Sequence, residues 1–315
     1  MEPVTLTQLG AFVLVARLGS VRAAAEVLGV SEPAVSKAIA ALRVHLGDQL
    51  VVREGNGMAL TDGGSRLLGI ASQMVTLGAE AEAAVRAARG APAHLRLVVD
   101  PTVAEFIATP LTEAFQKRWN GTIETTAGVA TASEMRVLLG NRLADLALGP
   151  DLDDVALASE PVLRRLTVLV AAPDARFSGP PGKWPWLVGP GATDPASDAG
   201  RLLAMCRVPE GRIHVFPNET AAWAAAAGGN GVAPAIASLV APQIRRGELH
   251  VVPTEWTPVA GSWYATTLRG ERRTVAATFL RNFLATPDAM QLMCSPGAGV
   301  PPSRFRPPVY VTIWS

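Results

Sequence analysis

The sequence predicts an α/β protein: a small helical module, a connecting helix, and a larger domain in which strands and helices alternate. Three observations carry that prediction. Residues 20–46 read as two short helices joined by a tight turn, and residues 61–88 repeat apolar side chains at spacings of three and four. Beyond residue 94, short apolar runs alternate with helical patterns, and all seven tryptophans follow residue 118. A length of 315 residues, 49% hydrophobic and 17% charged, leaves room for about two domains with ample core.

Thr5 and Gln8 form a capping box for a first helix reaching Leu18, with Leu6, Leu9, Phe12, Val13 and Ala16 on one face. Ser20 caps the next helix, Ala23, Ala24 and Ala25 give it a small face, and Gly29 ends it in a left-handed conformation. Ser31 caps a third, where Pro33 is tolerated because first-turn N–H groups have no intrahelical partner. Its apolar stripe is Ala34, Val35, Ala38, Ile39 and Leu42, and its other face carries Ser31, Glu32, Ser36, Lys37 and Arg43. Small polar and basic groups on an exposed helix suit the DNA major groove, although on spacing alone an ordinary helical hairpin fits as well. From Gly47 to Leu60, Val51, Val52 and Arg53 precede Gly55, Asn56 and Gly57, a short hairpin with a loose tip. Three helices and a hairpin make a winged helix-turn-helix.

Thr61 caps a helix running to about Ala88, with Leu67, Ile70, Met74, Leu77, Ala81, Ala84 and Ala88 in a heptad seam. About 28 residues make ~40 Å of helix, longer than so small a module needs, so the seam is expected to pair two chains. An amphipathic helix lying on its own domain is the alternative. Residues 89–94, RGAPAH, form a hinge. Strand, helix, strand, helix, strand are then expected at Leu95–Val99, Thr102–Arg118, Thr122–Thr126, Ser133–Leu139 and Leu143–Leu148, the pattern of a parallel sheet with crossover helices. A second set begins at Leu166–Ala171 and runs to Leu249–Val252, followed by a strand at Ser262–Leu268 and a helix at Arg272–Leu284. The proline-rich tail ends PVYVTIWS, which suits either an edge strand or disorder.

Net charge is +1 with a pI near 7.9, so DNA binding would have to come from a local surface. Residues 1–65 supply no dense basic patch: Arg17, Arg22, Lys37, Arg43 and Arg53 face Glu2, Glu26, Glu32, Asp48, Glu54 and Asp62. Cys206 and Cys294 have neither metal-ligand spacing nor a disulfide framework. His45, His94, His214 and His250 are scattered, and no GxSxG, HExxH or GxxxxGK[ST] motif occurs, so no catalytic, metal or cofactor residue is assigned. The N-terminus lacks the pattern of a signal peptide, and glycines and Pro234 break the longest uncharged run, Thr220–Ile244. A cytoplasmic protein without a membrane partner is expected.

The segments LTQLGAFVLVARLGS and VRAAAEVLGVSEPAVSKAIAALRVHLGDQLVVREGNGMALTDGG, followed by the long helix, resemble LysR-type transcriptional regulators without insertion. DPTVAEF, LADLALGP and FPNETAAWAAAAGGNGVAPA extend the resemblance to about residue 290. It departs from the family pattern at Arg43, where many relatives carry an acid, and at Ala38 and Ala40, where longer polar side chains are common. These bear on sequence preference rather than on DNA binding.

The resemblance implies a DNA-binding domain at 1–60, a dimerising linker helix and hinge at 61–94, and an effector domain like periplasmic binding proteins at 95–295. Its lobe I would be 95–165 with 269–295 and its lobe II 166–268, leaving 296–315 as a tail. It implies a regulator binding double-stranded DNA as a homodimer through Leu67, Ile70, Met74, Leu77 and Ala81, assembled further into a tetramer, with RNA polymerase open as a partner. Ser31, Glu32, Pro33, Ser36 and Lys37 would face DNA, with Arg53 on a phosphate and Arg22 and Arg43 in support. A small effector would enter between the lobes, near Pro101, Thr102, Thr131, Ser133, Gly191, Thr193, Asn218 and Glu219, whose hydroxyls and helix N-termini favour a small anion or polar molecule. Two other readings are a regulator whose cleft is filled by side chains such as Trp223, and a cytoplasmic solute-binding protein that the N-terminal segment only dimerises.

Overall fold

A computed structural model describes residues 3–54, 57–89, 91–270 and 273–294. Helix α1 (Leu6–Leu18) opens on the expected capping box: Thr5 N–H donates to Gln8 Oε1 at 2.9 Å and Gln8 N–H to Thr5 Oγ1 at 3.2 Å. Gly19, at φ 66°, closes it. Helix α2 (Val21–Leu28) starts where Ser20 Oγ accepts from Ala23 N–H and stops at Gly29, φ 64°. Helix α3 (Glu32–Leu46) departs from expectation at its start, because Ser31 occupies the N-cap position but makes no side-chain cap bond. Val35, Ile39 and Leu42 of α3 are buried against the first two helices. The antiparallel wing pairs β1 (Val51–Glu54) with β2 (Gly57–Leu60), Val51 opposite Leu60. The tip residues Gly55 and Asn56 lie outside the described residues.

Helix α4 (Asp62–Ala88) is fastened to the wing by a short network. Thr61 Oγ1 donates to Asp48 Oδ1 at 2.7 Å and accepts from Gly64 N–H at 2.9 Å, and Leu50 N–H donates to the same Asp48 oxygen. A Cβ on Gly64 would stand 1.9 Å from the Leu50 carbonyl oxygen, so this crossing needs glycine. One face of α4 buries Ala71 and Val75 and receives Leu6 over Gly78. Farther round, Ile70, Met74 and Leu77 stand 58%, 44% and 62% exposed.

The second domain runs β3 (Ala93–Val99), α5 (Pro101–Phe106), α6 (Ala108–Arg118), β4 (Ile123–Val129), α7 (Ala132–Gly140), β5 (Leu146–Gly149) and β6 (Leu157–Ala171). It continues with β7 (Trp186–Val188), α8 (Asp198–Met205), β8 (Ile213–Val215), α9 (Glu219–Ala227), β9 (Ala233–Ile236), α10 (Ala237–Arg245), β10 (His250–Val252), β11 (Val259–Leu268), α11 (Val275–Leu284) and α12 (Pro287–Cys294). Strand β3 is parallel to β4 and β5, and β11 closes that half by pairing antiparallel with β5. The long strands β6 and β11 pair antiparallel over their lengths and carry the chain between the halves, and β6 ends in the second half beside β9 and β10. Two lobes are therefore hinged on one strand pair, with a register shift between Trp263 and Tyr264.

Several boundaries differ from the sequence reading for physical reasons. The single helix expected at Thr102–Arg118 is two, broken at Ile107, because Pro110 has no N–H to offer the Phe106 carbonyl. Strand β6 begins nine residues earlier than Leu166, since its charged first half is held by pairing with β11 rather than by apolar burial. The helix expected from Arg272 starts at Val275 behind the cap Thr274, and Arg272 itself lies outside the described residues. Helix α12 was not anticipated. It is short, yet it buries Ala289 and Met293. The apolar cluster of the helix-turn-helix also continues into lobe I, where α1 touches α7.

Candidate functional site

Two surfaces bring together the residues singled out by sequence. The first lies on α3 and the wing. Ser31, Glu32, Pro33, Ser36 and Lys37 are all exposed, opposite the buried Val35, Ile39 and Leu42, and Arg53 is exposed on β1. The flanking arginines are partly committed elsewhere. Arg22 pairs with Glu26 at 3.0 Å, and Arg43 donates from Nε and Nη2 to the carbonyls of Gln49 and Val51, both at 2.7 Å. Arg43 thus braces the turn into the wing.

The second surface is the cleft between the lobes, a cavity of about 70 Å³. Pro101, Thr102, Thr131, Gly191 and Glu219 line it, as the sequence indicated. Ser133 and Asn218 stand back from the lining: Asn218 Oδ1 accepts from Ala221 N–H at 2.8 Å as the α9 cap, and Ser133 Oγ meets Thr131 Oγ1 at 3.1 Å. The Thr193 side chain lies outside the described residues. Trp223 forms part of the wall, stacked on Phe106 at 5.2 Å with its Nε1–H on the Pro234 carbonyl, so it does not fill the cleft.

The helix N-termini facing the cleft do not match the expectation of free N–H groups. Those of α5, α7 and α9 are satisfied by carboxylates of the chain, whereas α8, whose residues 197–199 share the lining, is capped by the Ser197 hydroxyl, which accepts from Gly200 N–H at 2.9 Å. Asp100 caps α5 by accepting from Val103 N–H at 2.8 Å. Asp194, in the turn after β7, reaches across the lobes to accept from Ala132 N–H of α7 at 2.9 Å. Glu105 of α5 reaches the opposite way, accepting from Glu219 N–H and Thr220 N–H of α9, both at 2.8 Å. The anion-binding ends of these helices are occupied internally.

Sequence reasoning missed Arg165, Asp198 and Trp263. Arg165 pairs with Asp198, which also accepts from Arg201 and, at 3.2 Å, from Thr167 Oγ1. Its guanidinium lies 5.4 Å from the Trp263 ring centroid. Arg165 Nε is buried without a hydrogen-bond partner, and Trp263 Nε1 is buried facing the Asp100 carboxyl without completing a hydrogen bond to it. A charged run next to a strand was the available signal for Arg165; nothing local marked Trp263. Burial pushes the Glu219 carboxyl up to about 8, helped by the negative charges of Glu105 and Asp100, and burial likewise raises Asp100.

Comparison with known proteins bears on both surfaces. Residues 6–65 match the bacterial regulatory helix-turn-helix protein, lysR family, and residues 88–287 match the LysR substrate binding domain. An uncharacterised HTH-type transcriptional regulator of Mycobacterium tuberculosis is 34% identical, the match spanning 99% of this chain and 100% of the relative. The regulator CbbR of Xanthobacter flavus is 28% identical over 93% of this chain and 91% of its own. Among solved structures, ArgP from Mycobacterium tuberculosis superposes with a TM-score of 0.55 at 22% identity, covering 92% of this chain and 98% of that one. A full-length AphB variant reaches 0.61 at 17% identity, covering 89% and 98%. Among the described residues, no helix is long and apolar enough to cross a membrane.

Proposed function

Since the chain belongs to the LysR family of bacterial helix-turn-helix transcriptional regulators and carries that family's effector-binding domain, we propose that α3 reads operator DNA while the interlobe cleft receives the effector. Ser36 and Lys37 meet bases or phosphates, Ser31, Glu32 and Pro33 set the entry of the helix, and Arg53 takes a phosphate from the wing. Arg22 and Arg43 give secondary support. The single observation behind this reading is the division of α3 into a buried apolar stripe and an exposed small polar face.

The assignments extend to assembly and location. Residues 1–60 form the DNA-binding unit, 61–94 the linker, and 95–165 with 269–295 and 166–268 the lobes. Ile70, Met74, Leu77 and Ala81 pair two chains, with Leu67, partly buried on the helix-turn-helix core, at the edge of that seam, and the dimers assemble into a tetramer on DNA in the cytoplasm, where RNA polymerase is a further partner. The protein acts by binding rather than by catalysis. Around the cleft, Pro101, Thr102, Thr131, Gly191 and Glu219 contact the effector, with Ser133, Thr193 and Asn218 at its margin.

Footprinting of the full chain on the DNA upstream of its own coding sequence tests the DNA assignment. A protected interrupted inverted repeat is expected, with Lys37→Ala weakening binding about tenfold and by similar amounts on variant sequences if Lys37 meets a phosphate, or at one base pair if it meets a base. Absence of protection, or an unchanged footprint with Ser36→Ala and Lys37→Ala combined, overturns it.

A further inference from the structure

We propose that the interlobe cleft takes a small aminocarboxylate, its ammonium held at Glu219 and its carboxylate held by Arg165 Nε and Trp263 Nε1. This rests on the effector reading of the cleft and adds the chemical class of the ligand.

The N-termini of α5, α7 and α9 are engaged by Asp100, Asp194 and Glu105, so at these three an anion gains no free helix end. An anion alone would keep the Glu219 carboxyl, which lines the same cavity, in its protonated form and supply no counter-charge for its ionised form. A cation alone suits that carboxyl but leaves two buried donors unmatched. Trp263 is 1% exposed and the Arg165 side chain 8%, both line the cavity, Arg165 Nε has no hydrogen-bond partner, and the indole N–H lies toward the Asp100 carboxyl without completing a hydrogen bond. Buried donors without acceptors are rare in native proteins and ask for a ligand atom.

A molecule carrying both charges resolves both deficits. Its ammonium supplies the counter-charge that Glu219 lacks among Glu105 and Asp100. Its carboxylate accepts from Arg165 Nε, Nη1 being turned to Asp198, and from the indole N–H. Pro190 and Ile236 on the walls suit a short apolar side chain. Binding also moves a proton: the Glu219 carboxyl, pushed up to about 8 in the empty cleft, ionises beside an ammonium and releases its proton to solvent.

Titration calorimetry of the full-length protein, at pH 7 in buffers of different ionisation enthalpy, uses L-norvaline, pentanoate and butylamine, followed by a panel of the common L-α-amino acids. Norvaline or another panel member is expected to bind at least tenfold more tightly than either single-ended analogue, with release approaching one proton. Glu219→Gln should abolish the release and the preference for an ammonium, while Glu219→Asp retains the release. Trp263→Phe should narrow the gap between norvaline and butylamine. Pentanoate binding as tightly as norvaline, proton uptake, unchanged release in Glu219→Gln, or no binding by any amino acid overturns the assignment. The operator footprint is measured in parallel: its loss with ligand binding intact overturns the DNA reading alone.

Discussion

Glu219 shows how one buried side chain makes stability depend on pH. In the folded chain its carboxyl titrates near 8 against an ordinary value of 4.5, so between those pH values the native state holds more protons than the unfolded one. Stability therefore falls as pH rises through that window, by at most about 1.4 kcal/mol per pH unit. Urea unfolding followed across the window should show this decline in the wild type and a shallower one in Glu219→Gln. Asp100 is raised by burial as well, so part of the slope remains. Parallel profiles for the two proteins would mean that Glu219 is already ionised. At Gly64 the cause is steric instead: Gly64→Ala sets a methyl against the Leu50 carbonyl, two backbone groups that cannot both yield. Denaturant unfolding of that variant should show a loss of about 3 kcal/mol, the upper end of overpacking costs.

At the level of elements, the lobes are held together by carboxylates crossing from one to the other. Asp194 closes the first turn of α7 and Glu105 that of α9, each filling positions where a helix exposes unpaired N–H groups. Asp194→Asn and Glu105→Gln should each loosen the cleft by about 1 kcal/mol, as loss of a helix cap does. Hydrogen exchange at Ala132 and Thr220 should quicken severalfold in the corresponding variant, and unchanged rates would show that the lobes are held otherwise. Helix α7 has a second neighbour: α1 of the helix-turn-helix touches it, so the turn latched by Asp194 begins a helix that reaches the DNA-binding domain. The wing shows the same economy, with Asp48, Thr61 and Gly64 fixing where α4 leaves β2.

For the whole molecule, the exposed row Ile70, Met74 and Leu77 on α4, whose opposite face is filled by α1, is the surface on which the proposed pairing of two chains rests. Replacing Ile70 and Leu77 together by Asp should give a monomer in sedimentation and lower operator affinity at least a hundredfold, through the lost effective concentration of the second reading head. A variant still dimeric would move the interface elsewhere. Salt dependence follows from the same arrangement. With Arg43 bracing the wing and Arg22 paired to Glu26, Lys37 and Arg53 remain as the free cations of the proposed DNA face, so log K should fall with log salt by about 2 per protomer. A much steeper slope would point to a basic surface beyond α3 and the wing.

Much of the DNA-binding half was legible from local chemistry. Thr5, Gln8, Ser20, Gly19 and Gly29 determine helix ends by contacts within a few residues, and those ends fall where the sequence placed them. The long helix α4 was legible for the same reason, since periodicity along one helix is a local property. The cleft was legible only in outline. Pro101, Thr102, Thr131 and Gly191 follow from strand-to-helix junctions, but the partners that change their meaning arrive from far along the chain: Asp194 at Ala132, Glu105 at Thr220, and Trp263 over Arg165. By itself the sequence determined the family, the order of elements and the exposed face of α3, all set by short-range spacing. Only the tertiary structure decided that the ends of α5, α7 and α9 are filled by the protein's own carboxylates and that an unpartnered Arg165 N–H shares a cavity with Glu219, because both depend on which residues two hinged lobes bring face to face.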